Sequence, residues 1–101
     1  MDYKIEDGPD ETVFRLAGRM TFADHDGFRE ILSEAEEQQG RRVVFDLSGL
    51  DFVDSSGLGM FIIARDMALK QGRSFLLRGA RGEVRSLIAV AKFHKMFDIT
   101  D

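Results

Sequence analysis

The chain has 101 residues, no cysteine and a net charge of −4, from 14 basic and 18 acidic side chains. This length fits one domain, residues 1–101, and the acidic balance argues against a nucleic-acid partner, which would require a basic stripe. The lack of cysteine excludes disulfides and thiolate zinc sites, and no apolar run resembles a membrane span or a secretory signal. We therefore expect a cytoplasmic protein without membrane insertion, and no cofactor or metal site is indicated.

The first half of the chain predicts two strands and a helix. Residues 3–7 and 11–18 have strand-like patterns on either side of the turn signal G-P-D, residues 8–10, and predict a hairpin. A helix is expected over residues 24–39, with Asp24 as its N-cap and Gly40 as its C-cap. Its apolar side chains recur at helical spacing: Phe28, Ile31, Leu32 and Ala35.

The second half predicts alternating strands and helices. Residues 41–47 are β-branched and aromatic, as in a central strand, and residues 48–53 are expected to form a short connection. A second helix begins at the Asp54 motif and ends near Gln71-Gly72. It is followed by a short strand, a third helix and a last short strand: 74–77, 83–93 and 97–100.

This order of elements predicts the fold class. From the second strand onward it reads β-α-β-α-β-α-β, which implies an α/β fold with a mixed, mostly parallel sheet and right-handed crossovers. About four to five strands and about three main helices are expected. The first strand should pair with the second as a hairpin, at or near an edge of the sheet.

The stretch D-S-S-G-L-G, Asp54–Gly59, opens the second helix with residues that weaken it. Glycine inside a helix costs about 1 kcal/mol relative to alanine, so Gly57 and Gly59 together cost about 2 kcal/mol. Ser55 or Ser56 can cap the helix through its hydroxyl. The glycines are tolerated if another element, a ligand or a protein approaches the backbone closely. Functional sites of α/β sheets tend to lie at such strand-to-helix junctions.

Three interpretations of this stretch involve no regulation. The simplest is a capped helix with two close packing contacts. Dinucleotide binding through Gly57-Leu58-Gly59 lacks the third glycine, since Ile62 stands there, and lacks an acidic residue about 20 positions further on. A serine hydrolase needs a glycine where Val53 stands, and a base, for which His25 and His94 are the candidates.

A fourth interpretation is a phosphorylation switch. A serine at an exposed helix N-terminus is accessible to a kinase, and a phosphate adds about −1.5 to −2 charge. The helix dipole stabilises that charge by about 0.3–1 kcal/mol while Asp54 repels it, so the fold should tolerate it. Burying the phosphate unpaired against a partner costs several kcal/mol, and each 1.4 kcal/mol is about tenfold in affinity. A loss of about 100-fold or more is expected.

The second helix also has an unusually wide apolar arc. Its apolar residues lie on two opposite sides of the helical wheel, Leu58, Ile62 and Leu69 on one and Met60, Ile63 and Met67 on the other. This exceeds the stripe of about 100° that packs on a sheet. Either neighbouring helices cover the excess, or part of it is a docking surface, for which adaptable methionine is suited.

The segment F-D-L-S-G-L-D-F-V-D-S-S-G-L-G, Phe45–Gly59, closely resembles the signature of STAS-domain anti-sigma factor antagonists. These are the anti-anti-sigma factors of bacterial partner-switching systems. Weaker similarity at L-A-G-R-M, V-R-S-L-I and M-F-D-I extends the resemblance over nearly the whole chain. It implies a single STAS domain over residues 1–101 without enzymatic activity.

The resemblance also implies a partner and a switch. Unphosphorylated members bind an anti-sigma factor that is also a serine kinase of the histidine-kinase-like ATPase type, and so release a sigma factor. The kinase phosphorylates the first serine after the aspartate, here Ser55, and a serine phosphatase reverses the modification. The expected partner-binding residues at the start of the helix, with two from its apolar arc, are Asp54, Ser56, Gly57, Leu58, Gly59, Met60 and Ile63.

The chain departs from the family after the second strand. Many members have G-E-L-D there, whereas this sequence has G-R-M-T, Gly18–Thr21. Arg19 replaces the acid and Thr21 stands where the aspartate would be, so no acidic contact is carried over. Thr21, Phe22 and Asp24 are candidates for the same rim by position, with a turn and a helix cap as the alternative.

The main alternative function is a STAS subunit of another complex, in biofilm or stress signalling or in lipid transport, whose partner is not an anti-sigma factor. Ser55 favours a switched member over an unphosphorylated transport accessory. An enzyme would need a catalytic pocket that the sequence does not indicate.

Overall fold

The computed structural model describes residues 1–38 and 41–101. These ranges contain five strands: β1 (Asp2–Asp7), β2 (Glu11–Met20), β3 (Arg42–Val53), β4 (Ser74–Arg78) and β5 (Asp98–Thr100). They also contain three α-helices, α1 (His25–Glu37), α2 (Ser55–Lys70) and α3 (Gly82–Val90), and short 3-10 helices at Phe22–Asp24 and Phe93–Lys95. The predicted end of the first helix at Gln39 and its cap at Gly40 lie outside the described residues.

The five strands form one mixed sheet in the order β1-β2-β3-β4-β5. β2, β3, β4 and β5 are parallel to one another. β1 is antiparallel to β2 and lies at the edge, with Ile5 opposite Phe14. The predicted α/β fold, the parallel sheet and the edge hairpin are therefore confirmed.

The core is centred on the fully buried ring of Phe45 in β3. The rings of Phe14 and Phe75, from the neighbouring strands, meet it edge to face with centroids 5.7 and 5.0 Å away. Phe28 of α1 and Phe61 of α2 pack on it at 6.0 Å each. Such aromatic contacts add to the burial energy, and they fix α1 and α2 on the same face of the sheet.

Asp46 lies on the opposite face of β3 from Phe45, because side chains alternate along a strand. Its Oδ1 accepts hydrogen bonds from the Ser48 N–H at 2.9 Å and the Ser48 hydroxyl at 2.7 Å. Its Oδ2 accepts one from Arg15 at 3.0 Å. Burial raises the pKa of Asp46, but these hydrogen bonds and the nearby cations outweigh burial and hold it below its usual range. The carboxylate therefore helps to stabilise the sheet.

β3 is longer than the sequence predicts. Residues 48–53 were expected to form a connection, but they continue the strand and pair with β2 as far as Val53 opposite Met20, after shifts in register. Gly49 makes the first shift possible, because a Cβ there would lie 2.9 Å from the Leu16 carbonyl oxygen. The extension brings the D-S-S-G-L-G stretch beside the end of β2.

α3 is shorter than predicted. The sequence pattern extended it to Phe93, but it ends at Val90, and Lys92 has a left-handed conformation with φ of 58°. That conformation interrupts a helix, because it is disfavoured for residues with a Cβ. Phe93 instead begins a 3-10 helix and remains in the core at 4% exposure. The apolar residue at position 93 is thus buried as its spacing predicts, although the helix does not continue to it.

Candidate functional site

Asp54 caps α2. Its backbone is extended, and its Oδ1 accepts a hydrogen bond from the Gly57 N–H at 2.9 Å. Its Oδ2 accepts a second one from the Phe22 N–H at 3.2 Å. The prediction that Ser55 or Ser56 caps the helix is wrong, because the capping position lies one residue earlier and is filled by a carboxylate. Neither serine hydroxyl therefore caps the helix.

The turn after β2 is closed by its own capping box. The Thr21 hydroxyl oxygen accepts from the Ala23 N–H at 3.3 Å, and Asp24 Oδ2 accepts from the Thr21 N–H at 2.9 Å. The bond from the Thr21 N–H holds the pKa of Asp24 below its usual range, with a further contribution from the Met1 ammonium, 3.0 Å from Asp24 Oδ1, although burial opposes the shift. Asp24 occupies the predicted N-cap position of α1, but its side chain makes no capping hydrogen bond to α1 and is directed back into the turn.

Ser55 is exposed in the first turn of α2, and within residues 1–38 and 41–101 its hydroxyl makes no hydrogen bond. It lines a cleft of about 280 Å³ together with Phe52 of β3 and with Glu83 and Leu87 of α3. Ser56 is half-buried. Of the two serines, Ser55 is therefore the more accessible to a modifying enzyme.

The two glycines of the stretch differ in their surroundings. A Cβ on Gly57 would lie 2.5 Å from Val53 Cγ1 and 3.2 Å from the Met20 carbonyl oxygen, so α2 approaches the ends of two strands there. A Cβ on Gly59 would meet nothing within 4 Å. Gly57 is thus explained by packing inside the domain, whereas Gly59 exposes backbone at the surface without an internal reason.

One face of α2 continues from Ser55 along the surface of the domain. Ser55, Gly59 and Ile63 are spaced four residues apart and share one face of the helix. The Ile63 side chain is 51% exposed. Phe22, tied to the same junction through Asp54, is 71% exposed. We call these four residues the contact face.

The wide apolar arc of α2 is covered only in part. Met60 was predicted to meet a partner, but it is 3% exposed and belongs to the core, together with Phe61, Ala64 and Ala68. Leu58 is half-buried against the same core. The excess that neither the sheet nor the other helices cover is Ile63 on the contact face and Leu69 near the far end of α2, each 51% exposed.

Arg19 and Phe52 form a contact beside the site that the sequence did not predict. The guanidinium carbon of Arg19 lies 4.3 Å from the centroid of the Phe52 ring, and the two residues are partners in the β2–β3 register. Phe52 was missed because residues 48–53 were expected to be a connection. Extending the strand alternation of β3 through these residues would have placed Phe52 on the face opposite Val53, but not beside Arg19.

The structure gives no support to the hydrolase interpretation. The His25 ring lies against Phe22, with centroids 6.1 Å apart, and His94 is in the short helix Phe93–Lys95. Neither forms a hydrogen bond with Ser55 in the part of the chain that the structure describes. Those same residues contain no cluster of metal-binding side chains, and no helix among them is long and apolar enough to cross a membrane.

The model of the STAS domain family matches residues 1–101. The chain belongs to the STAS domain family. A STAS-domain containing protein of Pseudomonas aeruginosa strain UCBPP-PA14 is 34% identical over 94 residues, which cover 93% of this chain and 91% of that protein. The family membership extends over the whole domain, including both sides of the Ser55 junction.

Solved structures share the same fold. An anti-sigma factor antagonist from Mycobacterium paratuberculosis superposes with a TM-score of 0.82 at 22% identity, covering 98% of this chain and 84% of that one. The Bacillus cell fate determinant SpoIIAA in its phosphorylated form superposes with a TM-score of 0.72 at 17% identity, covering 99% of this chain and 92% of that one. At these identities the similarity establishes the STAS fold.

Proposed function

We propose that this STAS domain is an anti-sigma factor antagonist whose binding is switched off by phosphorylation of Ser55. The observation that carries the proposal is the position of Ser55. Ser55 is exposed and does not cap α2. It lies at the N-terminal end of the contact face, which continues along α2 through Gly59 to the exposed Ile63. A partner that covers this face also covers the serine.

The chemistry of the switch follows from this position. A kinase transfers the γ-phosphoryl group of ATP to the Ser55 oxygen, which loses its proton, and ADP leaves. A phosphatase uses water to hydrolyse the ester, which restores the hydroxyl and releases inorganic phosphate. The Ser55 hydroxyl makes no hydrogen bond within the described ranges, and Asp54 keeps the cap, so the added group breaks no contact there.

Electrostatics determines the direction of the switch. A phosphate on Ser55 adds about −1.5 to −2 charge beside the Asp54 carboxylate. A partner that packs on Phe22 and Ile63 would have to bury that charge, which costs several kcal/mol unless the partner supplies cations. Modification should therefore release the partner and leave the domain folded.

The proposed partner is an anti-sigma factor that is also a serine kinase of the histidine-kinase-like ATPase type, acting in the cytoplasm with a serine phosphatase. SpoIIAA, described as an anti-sigma factor antagonist and solved in unphosphorylated and phosphorylated forms, supports this class. Thr21, Phe22, Leu58, Gly59 and Ile63 are the proposed contacts. The domain itself is proposed to perform no catalysis.

The test is a pull-down from lysate of the native host with ATP present, followed by mass spectrometry of bait and prey. Wild type, Ser55→Ala and Ser56→Ala are run in parallel. We expect capture of an ATPase of the histidine-kinase type, stronger retention by Ser55→Ala, and one phosphate on Ser55 of wild type and of Ser56→Ala. Absence of the kinase with Ser55 unmodified would overturn the proposal in favour of a STAS subunit of another complex.

A further inference from the structure

Arg19 is an exposed cation without an ion-pair partner in residues 1–38 and 41–101. Arg15 and Arg78, on the same sheet, lie 2.7 Å from Glu6 and 3.3 Å from Glu11 respectively. The guanidinium of Arg19 instead lies 4.3 Å from the centre of the Phe52 ring. Stacking over a ring orients the planar group and leaves its N–H edge free to donate.

The position of Phe52 links Arg19 to the switch. Phe52 and Ser55 line the same cleft. Three residues of chain span at most about 10 Å, and both an arginine side chain and a phosphoserine extend several ångströms from their Cα atoms. The Arg19 guanidinium and Ser55 are therefore both neighbours of Phe52, and both side chains are long enough to approach one another beside it.

The other groups around Ser55 do not stabilise a phosphate there. Asp54 and Glu83 both border the cleft, and their carboxylates repel a phosphate. The Gly57 N–H in the first turn of α2 is already taken by Asp54 Oδ1. A guanidinium can donate two parallel hydrogen bonds to phosphate oxygens, and such charge-assisted pairs are among the strongest in proteins.

We propose that Arg19 binds the phosphate of phosphorylated Ser55 within the same domain. The inference rests on the proposed phosphorylation of Ser55. In the phosphorylated state the guanidinium remains on Phe52 and donates to the phosphate, so the modified serine is held across the cleft. The Arg19 at the end of β2 thus serves as a phosphate-binding residue of the switched-off state.

The test uses protein in which phosphoserine is incorporated at position 55 during translation, so no kinase is needed. The second pKa of the phosphate is measured by ³¹P NMR titration in otherwise wild-type protein, Arg19→Ala, Arg19→Lys and Lys70→Ala. Lys70→Ala is the matched control, since it removes a positive charge at the other end of α2, about 20 Å away. Circular dichroism verifies that each variant is folded.

We expect the phosphate pKa to be lower with Arg19 present than in Arg19→Ala, by about half a unit or more, because a nearby cation favours the dianion and the carboxylates of Asp54 and Glu83 oppose it. Lys70→Ala should match wild type, and Arg19→Lys should fall between. Equal values in wild type and Arg19→Ala, or an equal shift in Lys70→Ala, would overturn the inference. The titration uses neither the kinase nor a binding partner, so its result does not affect the pull-down and affinity tests of the proposed function.

Discussion

The carboxylate of Asp54 joins two parts of the chain that lie 32 residues apart, since its Oδ2 accepts a hydrogen bond from the Phe22 N–H at 3.2 Å. The same side chain caps α2 through the Gly57 N–H. One residue therefore fixes the start of α2 against the turn that follows β2. The two hydrogen bonds therefore fix the position of Phe22 relative to the first turn of α2, where Ser55 lies.

Replacing Asp54 should destabilise the domain more than replacing either serine. Asp54→Ala removes the cap and the bond to Phe22, and we expect a loss of about 1–2 kcal/mol in the free energy of unfolding. Asp54→Asn retains an acceptor and should lose less. Ser55→Ala should change stability by less than about 0.5 kcal/mol, because its hydroxyl supports no cap. Urea denaturation measures all three, and equal losses for Asp54→Ala and Ser55→Ala would contradict the assignment of the cap.

The two glycines of the stretch provide a matched pair of substitutions. Gly57→Ala should destabilise the domain by about 1–3 kcal/mol, because its methyl group would collide with Val53 Cγ1. Gly59→Ala has open space and should stabilise the helix by up to about 1 kcal/mol. Thermal unfolding compares them. Similar effects of both alanines on stability would show that close packing is not the reason for Gly57.

Gly59→Ala should also weaken the binding of the partner, if the kinase approaches the backbone along the contact face. Its added methyl group leaves the fold unchanged, so a loss of affinity without a loss of stability locates the effect at the interface. The measurement is titration calorimetry of the variant with the kinase captured in the pull-down. Unchanged affinity would remove Gly59 from the proposed contacts.

Ile63 and Leu69 allow the contact face to be tested against a control of equal exposure. Both are apolar, lie on α2 and are 51% exposed. Ile63→Ala should weaken kinase binding by about 1 kcal/mol or more, about fivefold, if it packs against the partner. Leu69→Ala, near the far end of the helix, should leave affinity unchanged. A larger effect of Leu69→Ala would place the partner elsewhere on α2.

The ionised Asp46 should stabilise the domain in a pH-dependent way. Its folded-state pKa is lowered, so its contribution is present above the unfolded value of about 3.9 and is lost as the pH falls through the folded value. Asp46→Asn should lower stability at neutral pH, and its stability should decline less steeply below about pH 4. The acid-sensitive Asp24 remains in both proteins, so the difference between their urea-unfolding curves reports on Asp46. Parallel curves would contradict this role.

Hydrophobic pattern predicted the sheet and its helices because alternation and helical spacing reflect burial directly. Where it failed, local geometry decided. Residues 48–53 looked like a connection because S-G-L-D is typical of turns, yet the register shift at Gly49 lets β3 continue to Val53. Three polar residues in a row, Asp54 to Ser56, are all plausible caps, and only the backbone conformation selects Asp54.

The site could be predicted in part for the same reason. The D-S-S-G-L-G stretch identified the junction, and the structure bonds Phe22 to it through Asp54. Thr21 and Asp24 form the capping box of the neighbouring turn, which was the alternative for these two residues. The burial of Met60 could not be predicted, because α2 has apolar residues on two opposite sides and the sequence does not show which side faces the sheet. The Arg19–Phe52 contact depends on the register of β2 and β3, which side-chain pattern alone does not determine.

The most direct measurement of the central claim compares the affinity of the captured kinase for the unmodified domain and for the domain with phosphoserine at position 55. Phosphoserine at the exposed Ser74, at the other end of the parallel strands, serves as the control for added charge. We predict that phosphoserine 55 weakens binding by about 100-fold or more and that phosphoserine 74 has little effect. Equal affinity of the unmodified and Ser55-phosphorylated domains would contradict a phosphorylation switch at this site.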